Sequence, residues 1–118
     1  MTVKDKATNL LKAEQMIYAA AKGGADVIML PEMFTTPFML DYMVKASEPF
    51  GPNFREDPRS VTPTLLSRLA KETGTYIIGG SFPEAIEGKF AASKEGEEPK
   101  PMIYNTCLCF DKDGEVQA

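Results

Sequence analysis

Ala25-Asp26-Val27-Ile28-Met29-Leu30-Pro31-Glu32-Met33-Phe34 is the stretch that decides the fold. Four apolar residues, two of them β-branched, run from Val27 to Leu30 and predict a short central strand buried on both faces. Pro31 has no amide hydrogen to donate, so Glu32 falls just past the carboxyl end of this strand. Open α/β sheets place their chemistry at that end. Glu32 is therefore a catalytic candidate, although a carboxylate at such a position is often solvated or caps the next element.

An amphipathic helix is predicted immediately before this strand, from about Asp5 to Lys22. Apolar residues recur there at helical spacing, and polar residues occupy the other faces. Gly23-Gly24 supplies a left-handed stop. A helix that leads straight into a buried strand is half of a βαβ unit, and we expect that the strand which would precede it is missing.

The segment after Glu32 predicts a long connection followed by a second helix. Thr35 to Thr62 is rich in proline and holds one short helix around Leu40 to Ala46, and we expect it to overhang Glu32. Thr62 as N-cap and Pro63 as the first helical residue start a helix that runs to Thr73 and ends at Gly74.

The remaining chain predicts strands separated by one exposed loop. The glycines of a second strand, Tyr76 to Ser81, indicate either a close backbone approach or a bulge. Pro83 to Pro101, rich in Glu, Lys, Gly and Pro, is typical of an exposed loop. Met102 to Phe110 predicts a third strand. A final sentence lists the hairpin expected at the end of the chain: a turn at Asp111 to Gly114 and a returning strand at Glu115 to Ala118.

Composition excludes several classes of function. The 118 residues suffice for one domain. Thirteen basic and seventeen acidic residues give a net charge of −4, and the absence of a basic block argues against nucleic-acid binding. The sequence has no signal-peptide pattern and no apolar run of membrane-spanning length, so we expect a cytoplasmic protein without membrane contact.

The absence of histidine restricts the possible chemistry. Acid–base catalysis must fall to carboxylates, Lys, Tyr or Cys, and histidine-containing zinc sites are excluded. Cys107 and Cys109 lie two apart in an apparent strand, where their side chains are badly aimed for a disulfide. We interpret them as reduced, mid-strand residues and not as nucleophiles. We predict neither a metal nor a cofactor.

The order of motifs resembles the first half of a nitrilase, or carbon-nitrogen hydrolase, superfamily protein, in its omega-amidase-like branch. The resemblance extends from Leu10 to Ala118 and rests on three motifs. It implies an α/β fold, the N-terminal portion of an αββα sandwich with two amphipathic helices and about four strands. Residues 1–118 would form a partial domain that lacks the usual first strand and the C-terminal half. The motifs are Leu30-Pro31-Glu32-Met33-Phe34, Gly79-Gly80-Ser81 and Tyr104-Asn105-Thr106.

The resemblance also implies a function. The family hydrolyses non-peptide carbon-nitrogen bonds in small carboxamides or nitriles through a thioester, using a Glu, a Lys and a Cys. Glu32 matches the general base, and Phe38 either lines the substrate pocket or anchors its loop. Lys112 precedes the family's Lys position and should be a solvated turn residue. The Lys and Cys are expected beyond Ala118, so this chain should be inactive alone.

Two further expectations follow from the resemblance. The family is commonly dimeric or larger, which implies a homo-oligomer or a complementary chain as partner. The alternative to an amidase is a non-catalytic truncated fragment or an assembly module that pairs with such a chain through its open sheet edge.

Overall fold

The computed structural model describes the backbone of residues 5–91, 96 and 100–117 and the side chains of residues 5–86, 96 and 102–117. The described part contains three α-helices, a short 3-10 helix and five strands, which is one strand more than the sequence predicts. The expectation of a missing first strand concerns the residues ahead of Asp5, outside this part. The elements are α1 (Lys6–Lys22), β1 (Val27–Met29), α2 (Leu40–Ala46), the 3-10 helix (Phe54–Glu56), α3 (Val61–Thr73), β2 (Tyr76–Ile78), β3 (Phe82–Ala91), β4 (Lys100–Thr106) and β5 (Cys109–Phe110).

The core lies between a small mixed sheet and two helices. The sheet has the order β1-β2-β5, with β1 parallel and β5 antiparallel to β2. Helices α1 and α3 contact each other and contribute their apolar stripes to one common core. Burial of these stripes removes apolar surface from water and is the main source of stability. The central members of the core are Leu10, Ala13, Ile17, Ile28, Leu66, Leu69, Ala70, Ile77 and Phe110.

Strand β1 is an edge strand in the described sheet, and the prediction that it is central and buried on both faces is wrong. Ile28 points into the core at 8% exposure, whereas Val27 and Met29 are 55% and 71% exposed. The reason is that β1 pairs with β2 alone and the two helices pack on one face. An apolar run therefore identified the strand but not its position in the sheet.

Local signals placed the helix ends well. Asp5 caps α1, and its side chain accepts a hydrogen bond from the amide of Ala7 at 3.2 Å. Gly24, at φ +97°, and Gly74, at φ +64°, take the left-handed conformation beyond α1 and α3. Helix α2 has the predicted bounds. No helix in the described part of the chain is long and apolar enough to cross a membrane.

Helix α3 begins at Val61, two residues earlier than predicted, because its cap comes from another part of the chain. Ser60 occupies the N-cap position without a side-chain capping bond. The fully buried carboxylate of Glu48 accepts hydrogen bonds from the amide of Thr62, at 2.7 Å, and from its hydroxyl. Lys6 places its ammonium 2.7 Å from the same carboxylate. Glu48 thus joins the start of α1 to the start of α3.

Glu48 also fixes the long connection against β3. Its amide donates to the carbonyl of Pro83 at 3.0 Å, and its carbonyl accepts from the amide of Ala85 at 2.9 Å. The connection is therefore held on β3 and the start of α3. The prediction that Thr35 to Thr62 overhangs Glu32 is wrong, since none of these residues lines the cleft beside Glu32.

Strands β3 and β4 form an antiparallel ribbon, so the prediction of an exposed loop from Pro83 to Pro101 is wrong for most of that range. The pairing runs from Phe82 opposite Thr106 to Ala91 opposite Lys100, with an irregularity between Ala85 and Phe90. Interstrand hydrogen bonds hold the ribbon, which needs no apolar alternation, and this is why its sequence resembles a loop. Residues 92–95 and 97–99 of the predicted loop lie outside the described residues.

The predicted strand from Met102 to Phe110 is divided between two sheets. β4 ends at Thr106 in the ribbon, and β5 begins at Cys109 beside β2. The turn that follows is confirmed: Gly114 has φ +80°, and its amide donates to the carbonyl of Asp111 at 2.9 Å. Of the predicted returning strand, Val116 forms a single bridge with Phe110. Ala118 lies outside the described residues.

Replacing Thr35 by valine is expected to stabilise the fold. Thr35 is fully buried, and no described residue partners its hydroxyl. Since an unpaired buried hydroxyl is unfavourable and valine has the same shape, we expect the free energy of unfolding to rise by about 1 kcal/mol. Urea titration measures this. Thr73→Val is the matched control, because the Thr73 hydroxyl donates to the carbonyl of Leu69 at 2.6 Å. A Thr35→Val protein less stable than the parent would contradict the prediction.

Candidate active site

Glu32 lies in the turn that follows β1, as predicted. The strand ends at Met29, and the amide of Leu30 makes a last bond to the carbonyl of Ile78 at 2.9 Å. The chain then turns, and Met33 adopts a positive φ of 50° with its side chain buried in the protein. This conformation is unfavourable for a residue with a side chain and must be held by its surroundings. Glu32 is exposed at the top of the turn.

Gly80 and Ser81 hold this turn. A Cβ on Gly80, which has φ +59°, would lie 2.1 Å from the carbonyl oxygen of Pro31. The side-chain oxygen of Ser81, 5% exposed, accepts a hydrogen bond from the amide of Met33 at 2.8 Å. The glycine pair therefore serves a close backbone approach, which decides between the two interpretations of this motif.

Asn105 holds the carboxylate itself. It lies on β4 opposite Pro83, and its side-chain Nδ2 donates to Oε1 of Glu32 at 2.7 Å. No described residue bonds to Oε2 of Glu32, which remains available to accept a proton. Sequence reasoning quoted Asn105 in the Tyr-Asn-Thr motif but gave it no role. The available signal was that motif, which shows no contact with a residue 73 positions earlier.

A cleft of about 330 Å³ opens beside the Glu32–Asn105 pair. Its floor and walls are mainly apolar or small, and none of its lining residues is a lysine or an arginine. A carboxylate in such a cleft can move a proton, but the described residues place no cation there to stabilise an oxyanion. The lining residues are Met29, Leu30, Glu32, Ile78, Gly80, Ser81, Asn105 and Cys107.

Cys107 lies in this cleft, contrary to the interpretation that it is a mid-strand residue. It follows the last residue of β4, where the chain leaves the ribbon, and it is exposed. Both cysteines are free, as predicted. Burial and, secondarily, the neighbouring Cys109 thiol raise the pKa of the Cys107 thiol above its usual value. A raised thiol pKa reduces the thiolate fraction at neutral pH and disfavours Cys107 as a nucleophile.

The other residues singled out from the sequence lie outside the cleft. Phe38 is 66% exposed and is not among the lining residues, so its role as a substrate contact stays a prediction. Lys112 is an exposed turn residue, as predicted, with its ammonium 5.5 Å from the ring centre of Tyr76. Among the described residues, no three Cys, Asp or Glu side chains are grouped to hold a metal ion.

A model of the carbon-nitrogen hydrolase family matches residues 1–118. The chain belongs to the carbon-nitrogen hydrolase family. The family resemblance inferred from the sequence is thereby confirmed, and Glu32 lies within the matched region.

Curated relatives of this carbon-nitrogen hydrolase include omega-amidases. The omega-amidase NIT2-B of Xenopus laevis is 38% identical over 111 residues, which are 94% of this chain and 33% of the relative. The human omega-amidase NIT2 is 34% identical over 113 residues, 96% and 33% of the two chains. A hydrolase of Schizosaccharomyces pombe is 36% identical over 115 residues, 98% and 30% of the two chains. The chain thus spans about a third of the length of these relatives.

Solved structures confirm the α/β, nitrilase-like fold. Nit3 of Saccharomyces cerevisiae, described as a member of branch 10 of the nitrilase superfamily, superimposes with a TM-score of 0.76 at 29% identity. The match covers 98% of this carbon-nitrogen hydrolase chain and 38% of Nit3. XC1258 of Xanthomonas campestris gives a TM-score of 0.69 at 23% identity over 99% and 35% of the chains, and supports the fold alone.

Proposed function

We propose that this chain contributes the general base to an enzyme that hydrolyses carbon-nitrogen bonds in small carboxamides, in the manner of an omega-amidase. The observation that carries the proposal is the Glu32 carboxylate, placed at the end of a parallel strand beside a cleft and held through one oxygen by Asn105. The family match and the names of the curated relatives support the substrate class.

The proposed reaction divides the work between three side chains. A cysteine thiolate attacks the amide carbon, Glu32 takes the thiol proton and returns it to the departing ammonia, and a lysine ammonium stabilises the oxyanion. Water then cleaves the thioester to the carboxylic acid. The described cleft supplies no lysine, and Cys107 is a poor nucleophile there. The lysine and the attacking cysteine would therefore come from residues outside this chain.

Ammonia release tests this proposal. The chain is assayed on small aliphatic carboxamides alone and in a chimera, in which it replaces the matched third of the Xenopus laevis omega-amidase NIT2-B. We expect no turnover by the chain alone and clear turnover by the chimera, because the remaining two thirds of the relative would supply the missing groups. A chimera that folds like the parent enzyme but releases no ammonia would overturn the proposal.

One observation favours assembly with further polypeptide. The sheet face opposite the helices exposes Val27, Met29 and Tyr76, at 55%, 71% and 46% of their surfaces. A contiguous apolar face of this kind is normally covered. An assembly module that pairs with a complementary chain is therefore the second candidate, and sedimentation of the chain alone tests it. A stable monomer with a defined melting transition would count against an obligate partner.

Asn105→Leu is expected to lower kcat of the chimera by about tenfold to a hundredfold, because a hydrogen bond to a charged group contributes roughly 1.5–3 kcal/mol. Leucine fills similar space but cannot donate to Glu32. A double-mutant cycle with Glu32→Gln separates the possible causes. If Asn105 acts through the Glu32 carboxylate, its loss adds little in the Glu32→Gln background. An equal loss in both backgrounds would contradict this role and indicate a purely structural one.

A further inference from the structure

Two thiols lie side by side where the chain passes from the ribbon to the three-stranded sheet. Between them, Leu108 is buried at 5% exposure, and its carbonyl accepts a hydrogen bond from the amide of Gly79 at 2.8 Å. Because side chains alternate along an extended chain, Cys107 and Cys109 share the side opposite Leu108. Their thiols lie within hydrogen-bonding reach of each other. The interruption after Thr106 explains why the geometry of an unbroken strand does not apply.

The two thiols differ in access. Cys107 is exposed and lines the cleft with Glu32 and Asn105, whereas Cys109 is half-buried beside Ile78, its partner in β2. A small reagent that enters the cleft therefore meets Cys107 first. Cys109 can be reached from the Cys107 sulfur without any large movement of the chain.

The surroundings of Cys107 disfavour a permanent single adduct. Burial and the adjacent thiol raise its pKa, and the charged group that lines the same cleft is the Glu32 carboxylate, which also opposes a thiolate. Attack by Cys107 is thus slow at neutral pH and faster as the pH rises toward the thiol pKa. Once an adduct forms, the neighbouring Cys109 thiol is the nearest group that can displace it.

We propose that Cys107 is a site of reversible modification by a small disulfide and that Cys109 is the resolving thiol. In the first step the Cys107 thiolate attacks one sulfur of glutathione disulfide, which forms a mixed disulfide and releases one glutathione thiolate. In the second step the Cys109 thiolate attacks the Cys107 sulfur, which forms the Cys107–Cys109 disulfide and releases the second glutathione. Two protein thiols are oxidised by two electrons, and one glutathione disulfide is reduced to two thiols.

The two products affect the cleft differently. The mixed disulfide places a bulky, charged peptide beside Glu32 and Asn105 and fills the cleft. The internal disulfide removes that group and leaves the cleft open. Cys109 therefore clears a blocked site, and a reductant returns both thiols to their starting state.

The test incubates the 118-residue chain with glutathione disulfide at mildly alkaline pH, quenches with acid and measures intact masses. We expect the parent to lose two hydrogens and to show little adduct. Cys109→Ser should accumulate roughly tenfold or more of a single adduct on Cys107, because an adjacent thiol reacts far faster than one in solution. Cys107→Ser should remain largely unmodified, since Cys109 is half-buried.

Two controls keep the test decisive. Cys109→Ala repeats the comparison without a new hydroxyl in the half-buried position, and circular dichroism checks the fold of each variant. Dithiothreitol should restore the parent mass. Equal adduct on the parent and on Cys109→Ser, or disulfide-linked dimers as the main product of the parent, would overturn the proposal.

Discussion

Glu32→Gln is expected to lower kcat for ammonia release by about 10² to 10⁴, the usual contribution of a general base. The substitution is nearly isosteric, and the glutamine oxygen can still accept the hydrogen bond that Asn105 donates to Oε1 at 2.7 Å. The turn and the cleft should therefore keep their shape. What is lost is the ability of Oε2 to take a proton from the attacking thiol. The effect should fall on kcat more than on KM, because substrate contacts are unchanged.

The measurement is made in the chimera with the Xenopus laevis omega-amidase. Glu56→Gln is the matched control, since it makes the same chemical change at an exposed position in the 3-10 helix. We expect that control to retain the activity of the parent chimera. Activity of Glu32→Gln within a few-fold of the parent would remove Glu32 from the catalytic role.

Glu48→Ala is expected to lower the free energy of unfolding by about 3–5 kcal/mol, the range for breaking a buried ion pair from one side. The carboxylate is fully buried, accepts from the amide and hydroxyl of Thr62, and pairs with Lys6 at 2.7 Å. Alanine leaves the Thr62 donors without an acceptor and leaves a void. For a domain whose total stability is about 5–15 kcal/mol, this loss is a large share.

Urea titration followed by circular dichroism measures the effect. Glu48→Gln should cost less than alanine, because its amide oxygen can still accept from the amide of Thr62. Lys6→Met should also cost less, since the Lys6 side chain is 25% exposed and its charge is partly solvated. Glu56→Ala, at the exposed position, should change little. An alanine variant at position 48 within 1 kcal/mol of the parent would be inconsistent with this account.

The sequence predicted those features that depend on neighbouring residues. Asp5 marked the start of α1, and Gly74 marked the end of α3, because caps and left-handed residues act within one helical turn. Leu40 to Ala46 was predicted as a helix with the observed bounds. Glu32 was placed at a strand end from the apolar run and the proline beside it.

The features that the sequence did not predict depend on distant residues. The edge position of β1 follows from which strands pair with it, and no pattern within the strand encodes that. The ribbon was missed because its register, such as Glu84 opposite Tyr104, joins segments of mixed polarity. The cap of α3 was assigned to Thr62, whereas the carboxylate that does this work belongs to Glu48, 14 residues earlier. The same reason explains why Asn105 had no assigned role.

The setting of Glu32 has a history in time as well as a geometry. Ser81 holds its turn from 48 residues beyond Met33, and Asn105 holds its carboxylate from 73 residues beyond. Contacts so distant in sequence form only after long loops close, whereas helical contacts form locally and early. A growing chain that has emerged only as far as β3 can already contain α1 and α3, yet its Glu32 is an ordinary surface carboxylate. The residue becomes a candidate base only when β4 has been made and paired.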